Sequence, residues 1–190
     1  MKIHKGAAVL IAGTLGPDAI LHLFWATTRK SWPAADFTSL SRDLLNVDAS
    51  FEPLNLVVIA SMPAAAAVLA LARAGMLGAV AHRLPAWMPK LGTIALAAGA
   101  SARLVAGIVW ALGIGADTAS TFYRLNLTVY TPLCAVLVAA AIAVLRAPEQ
   151  RTGKARDRGR IHAPDSAPET ELRPEYEAAG SVRENSDRDQ

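Results

Sequence analysis

Apolar residues in this chain come in long blocks, and the charged residues fall between them. Four stretches, residues 6–26, 53–71, 91–114 and 126–145, are predominantly apolar. A helix of about 20 apolar residues, rising about 1.5 Å per residue, crosses the hydrocarbon core of a bilayer. Each block is therefore predicted to be a membrane-spanning helix. The chain is predicted to be all-α, a four-helix transmembrane bundle over residues 1–146. Within the second block the stretch Pro63-Ala64-Ala65-Ala66-Ala67 is only weakly hydrophobic, so this block announces itself least by sequence alone. The first follows Lys2 and Lys5 as the core of a signal peptide would. Asp18 and His22 interrupt it, however, and no A-x-A site follows, so it is expected to stay as a span.

The connections add detail. The longest, residues 27–52, contains Asp36, which can cap a short helix. That helix would place Phe37, Leu40, Leu44 and Val47 near one face, to lie on the membrane surface or cover the bundle. Trp32, Trp87 and Trp110 fall near block ends, where an aromatic belt belongs. Beyond Arg146 the apolar periodicity stops. Residues 147–190, rich in Pro, Glu, Arg, Asp and Ser, are expected to be a disordered cytoplasmic tail.

Composition agrees: 53% of residues are hydrophobic, only 18% are charged, and mean hydropathy is +0.29. The net charge of +3 would fit a nucleic-acid binder, but its distribution does not. The basic excess sits directly after the fourth block, in residues 146–160, whereas residues 161–190 are acidic. That is where a membrane protein keeps cytoplasmic charge. With the N-terminus inside, Lys2, Lys5, Arg73, Arg83, Lys90 and the six basic residues of 146–160 face the cytoplasm. Only Arg29, Lys30, Arg42 and Arg124 face outward. Both termini are therefore expected inside. The expected partners are the lipid bilayer and either a second copy or other membrane helices, with no nucleic acid. Cys134, the sole cysteine, reads as a small buried hydrophobe, and no Cys/His spacing suggests a metal site. No cofactor is expected.

Ionisable and polar residues inside spans are costly, at about 2.5–3.5 kcal/mol for a central charge, and they usually face the bundle interior. Asp18 and His22 share a face of the first span. Arg103 lies near the midpoint of the predicted third span. Its row of Ala95, Gly99, Gly107 and Ala111 is made of small residues that let helices approach. Asn126, Tyr130 and Cys134 form a row on the fourth. Antiparallel spans bring these rows to similar depths. An Asp18–Arg103 ion pair is expected, with His22, Asn126 and Tyr130 lining an outward-facing polar pocket. Such a pair could equally serve only to fix helix register. Pro63 and Pro132 are positioned to kink their spans.

Several motifs carry a resemblance: His22-Leu23-Phe24-Trp25-Ala26 followed by Trp32-Pro33, then Gly107-Ile108-Val109-Trp110-Ala111-Leu112-Gly113. Phe122-Tyr123-Arg124-Leu125-Asn126-Leu127 and Tyr130-Thr131-Pro132-Leu133-Cys134 complete the set. In order and spacing these resemble a family of small actinobacterial membrane proteins catalogued as domain of unknown function 3995, over roughly residues 8–146. The resemblance implies a compact multi-span domain in a bacterial cytoplasmic membrane and no particular activity. His22, Trp25, Asn126, Tyr130 and Pro132 belong to its motifs. Asp18 and Arg103 lie outside them, so their pairing rests on physics alone.

Three functional classes follow. A non-enzymatic accessory or scaffold protein would expose a strip of Ala and Gly to partner helices. A small oligomeric transporter or channel would need a continuous polar path, which the apolar cytoplasmic half opposes. A membrane enzyme acting on a lipid or quinone would need a second reactive group beside His22, with Tyr130 and Asp18 as candidates. The first class is the expectation.

Overall fold

The computed structural model describes residues 3–85 and 87–147, and the expected tail lies beyond them from residue 148 onward. Among the described residues all regular secondary structure is helical, with no strand. In chain order they form α1 (Ile3–Thr28), α2 (Phe37–Leu45), α3 (Pro53–Arg73), a 3₁₀ helix (Gly78–Arg83), α4 (Trp87–Ala111), α5 (Thr121–Leu125), a π turn (Asn126–Tyr130) and α6 (Thr131–Leu145). Four helices are long and apolar enough to cross a membrane: α1, α3, α4 and the continuous helix Thr121–Leu145.

Local chemistry sets the helix ends. α3 stops at Gly75, whose φ of 71° is a left-handed conformation that costs glycine nothing. The Met76 amide then reaches back to the Leu71 carbonyl at 3.0 Å. The same device ends α4 at Ala111, short of the predicted Ile114: Gly113 has φ 78° and the Ile114 amide bonds the Val109 carbonyl. The fourth span begins five residues earlier than the sequence pattern suggests. Ser120 caps it by accepting from the Tyr123 amide at 3.1 Å. Pro132 follows the π turn; with no amide hydrogen of its own, it favours a widened turn over a regular one.

α1 packs along α3, α3 along α4, α4 along α6, and α6 back along α1. Four antiparallel neighbours thus close a bundle in which α1 and α4 stand at opposite corners. The end where α1 begins and α6 finishes is built on an alanine-rich core of Ala8, Ile11, Ala70, Ala74, Ala100, Leu137, Ala140, Ala141 and Val144. The other end is covered by the 29–52 connection and is called the capped end below. There Trp25, Ala26, Leu40 and Leu56 form a second core, flanked by Phe24, Phe37, Leu44 and Phe51.

α2 is that cover. Asp36 caps it as the sequence suggests, and Ser39 completes a reciprocal capping box, its hydroxyl meeting the Asp36 amide. Arg42 pairs with Asp48 through two hydrogen bonds, and Asn46 Nδ2 ties the end of α2 to the Gly115 carbonyl at 3.1 Å. Bonding from the Ser39 amide holds the Asp36 carboxyl below its ordinary range, and the Arg42 guanidinium does the same for Asp48. Both depressed carboxyls support the folded cap fully above the ordinary value of 3.8 and lose that support as pH falls through their lowered values. Amide-exchange protection over residues 37–45 should therefore be equal at pH 7 and 5 and fall below about pH 4. Asp36→Ala should lower it at every pH. Unchanged protection at pH 3 would refute this account.

Outside, the bundle is apolar. Only 11–28% of each span's most apolar window is buried. Val57, Val58, Met62, Val105, Ile108 and Val129 face outward. An apolar surface this extensive suits hydrocarbon and not water.

Candidate functional site

Three of the five residues singled out from the sequence meet beneath the cap. Asn126, at the start of the π turn, is completely buried. Its Nδ2 donates to the Gly107 carbonyl at 2.9 Å. Its Oδ1 accepts from Arg103 Nη1 at 3.0 Å and from Thr131 Oγ1 at 3.3 Å. The side-chain amide is therefore used on both sides, as burial demands. The Arg103 guanidinium lies over the Trp110 ring, 4.8 Å from its centroid, and over the Tyr130 ring at 5.6 Å. A cation against two aromatic faces and a buried amide is held in place, not left to wander. Trp110 is itself fixed edge-on against buried Phe122, with ring centroids 5.1 Å apart.

Gly107 makes the arrangement possible. A Cβ added there would come within 2.3 Å of Thr131 Oγ1 and within 3.3 Å of both Arg103 Nη1 and Asn126 Oδ1. The absence of a side chain lets α4 and the fourth span approach closely enough for the amide to bridge them. The π turn supplies the other half of the geometry. Its wider register carries Asn126, Tyr130 and Thr131 past α4 at spacings an unbroken α-helix would not give.

Asp18 and His22 do not join this group. Among the described residues no ion pair links Asp18 to Arg103, which corrects the sequence-based expectation. Two physical reasons account for it. α1 and α4 are diagonal in the bundle, so their faces do not meet. And α4 runs from residue 87 to 111, which moves Arg103 from mid-span into the capped half, about 12 Å from the helix end. The Asp18 side chain is half exposed. His22 folds back along its own helix instead: Nδ1 lies 2.9 Å from the Asp18 carbonyl oxygen and 3.7 Å from its Oδ1. The carbonyl contact fits an Nδ1–H donor. The ring stands edge-on to Trp25 at 5.1 Å. The Tyr130 ring is turned to Arg103.

The small-residue row of α4 divides as well. Gly107 is buried, whereas Ala95 and Gly99 are exposed, and with Ala98 and Ala102 they form a stripe on the outside of the bundle. Cys134 is buried with a free thiol. Among the described residues no three His, Cys, Asp or Glu side chains converge on a possible metal position. Gly107 belonged to the row recognised in the sequence, but its contact role did not show there. Thr131 and Trp110 escaped as cluster members because one reads as a span residue and the other as a belt residue. The spacing of Arg103 and Trp110, seven residues or two helical turns, was the signal available.

A family model described as protein of unknown function (DUF3995) matches residues 15–145. That range takes in every motif on which the resemblance rested. No curated protein and no solved structure matches the chain.

Proposed function

Because this chain belongs to the family described as protein of unknown function (DUF3995), we propose a role from its own geometry: a non-enzymatic accessory or scaffold protein of the bacterial cytoplasmic membrane. Both termini lie in the cytoplasm in this reading, and the capped end forms an outward-facing polar pocket around Arg103. One observation carries it, the exposed stripe of Ala95, Ala98, Gly99 and Ala102 on α4. These positions follow the i, i+3, i+4, i+7 rule for one helix face, and nothing lies within 4 Å of a Cβ built on Gly99. In lipid, association is driven by close packing, and such a stripe lets a partner backbone approach. The alternatives receive less support. The half where α1 begins and α6 finishes is packed with alanine and other apolar side chains, which opposes a polar conduit. His22 is held by its own helix and by Trp25, away from the Arg103 group.

The test is purification of the full chain in native nanodiscs, followed by mass spectrometry of what accompanies it. Co-purification of a membrane protein, or of a second copy, is expected, with Gly99→Leu reducing it at least several-fold while the monomer stays folded. Recovery of the wild type as a solitary monomer would overturn the scaffold reading. Ion conductance by purified protein in planar bilayers would favour the channel instead. Labelling of single cysteines at Ser31 and Lys90 from each side of intact cells tests the orientation.

A further inference from the structure

The Arg103 guanidinium has more donors than the protein uses. Of five N–H groups on an arginine head, one is engaged, on Asn126 Oδ1. Among the described residues no carboxylate lies within ion-pairing distance. Nor are the unused nitrogens sealed in. The fully buried side-chain nitrogen lacking a partner is Arg73 Nε, and no Arg103 atom shares that state. A fixed, partly open fork with uncommitted donors and no carboxylate bonded to it fits a carboxylate or phosphate better than it fits solvent.

Depth narrows the choice. An ideal Cβ on Gly107 would be 3.3 Å from Nη1, so the head has risen about one turn above its own Cα. That places it about 6 Å from the capped end of α4. A helix about 37 Å long, centred on a hydrocarbon core of about 30 Å, meets the headgroup zone near this level. The oxyanions concentrated there are lipid phosphates. Free snorkelling would send the side chain straight to water. Here Asn126, Trp110 and Tyr130 hold the head against the bundle.

We propose that Arg103, positioned by Asn126 and flanked by Trp110 and Tyr130, is a binding site for a phosphate oxyanion, either a phosphodiester lipid headgroup or free phosphate. This rests on the reading of the capped half as an outward-facing pocket. The anion would accept from the unused Arg103 N–H groups, while Nη1 stays on Asn126. The two aromatic faces would keep the fork planar to the incoming oxygens and exclude water from one side of it.

The experiment uses the full chain in nanodiscs of phosphatidylcholine containing a minor share of phosphatidylglycerol. Native mass spectrometry counts lipids retained on the protein after the disc is stripped. Wild type should retain phosphatidylglycerol, Arg103→Gln should lose retention by about ten- to hundredfold, and Arg103→Lys, which keeps the charge but not the fork, should fall between. Wild type that retains no phospholipid after stripping and shows no saturable phosphate broadening, or a folded Arg103→Gln that matches wild type in both measurements, would overturn the proposal. Because a bare loss could reflect unfolding, each variant is checked by amide exchange over 121–131, and Arg103→Lys serves as the second variant. Phosphate titration of the wild type in pure phosphatidylcholine discs, followed by ³¹P line width, distinguishes the sources: saturable broadening assigns the site to free phosphate, and retention without broadening assigns it to lipid. Side-specific cysteine labelling is read in intact cells. An outward-facing cap with no phosphate binding removes this inference and leaves the pocket standing. An inward-facing cap removes the pocket reading itself.

Discussion

Gly107→Ala should destabilise the bundle by about 2 kcal/mol, although alanine is the better helix former. The propensity gain is about 1 kcal/mol at most. Against it stands a Cβ within 2.3 Å of Thr131 Oγ1 and within 3.3 Å of Arg103 Nη1 and Asn126 Oδ1. Relieving the first overlap means turning Thr131 or parting α4 from the fourth span. Parting them lengthens the Asn126–Gly107 bond of 2.9 Å and the Arg103–Asn126 bond of 3.0 Å together. Overpacking costs about 1–3 kcal/mol, and each weakened buried hydrogen bond adds about 1 kcal/mol. The steric and polar costs therefore outweigh the helix gain. Reversible unfolding in mixed detergent micelles measures the difference. The cause is tested by the double variant Gly107→Ala with Thr131→Ala, which removes the nearest atom and should recover at least half of the loss. Thr131→Ser keeps the hydroxyl and should recover little. Equal stability of Gly107→Ala and wild type would show that the two helices approach each other with room to spare.

Such contacts also mark the boundary between what the sequence reveals and what it hides. Bulk solvent preference is written in composition, so the four apolar blocks announce the spans. A cap is a local motif, and Asp36 announces α2 in the same way. Arg103, Asn126 and Tyr130 stand out because lipid penalises polar groups wherever they are. Their actual partners depend on helix ends and helix neighbours. Gly113 ends α4 early, and that three-residue change moves Arg103 relative to mid-membrane. Which helices are adjacent is a property of the closed bundle, not of any one segment, so the pairing of Asp18 with Arg103 could not be checked from spacing alone. The π turn is harder still, since Pro132 signals a disturbance but not its register. The row containing Ala95, Gly99, Arg103 and Gly107 shows the same limit. A single fourfold row drifts around a straight helix, so its two halves meet different surroundings, one outside and one inside.

Trp25→Ala should detach the cap while leaving the spans assembled. Trp25 is 2% exposed and is the largest side chain of the capped-end core. Its ring stands edge-on to His22 at 5.1 Å and to Phe51 at 6.0 Å. Its Nε1 donates to the Trp32 carbonyl at 2.7 Å, pinning the start of the connection to α1. Truncation removes this packing and leaves a cavity, at a cost of about 3–5 kcal/mol. Lipid cannot refill the space, because it lies between α1, α3 and the cover and not on the hydrocarbon face. The loss falls on the cap because α2 has little else to hold it. A nine-residue helix is marginal alone, and beyond this core its tethers are the Asn46–Gly115 bond, the Arg29 guanidinium over the Phe37 ring and packing on α5. The alanine-rich core at the far end does not touch Trp25 and should keep the spans together. Amide exchange therefore separates the outcomes. Residues 37–45 should exchange at nearly unprotected rates in Trp25→Ala, while residues 133–144 keep their protection. Trp25→Phe, which retains most of the volume and loses only the N–H bond, should cost about 1 kcal/mol and keep α2 protected. If both segments lose protection together, the cap and the spans form one cooperative unit, and the division of the bundle into two separately held halves is wrong.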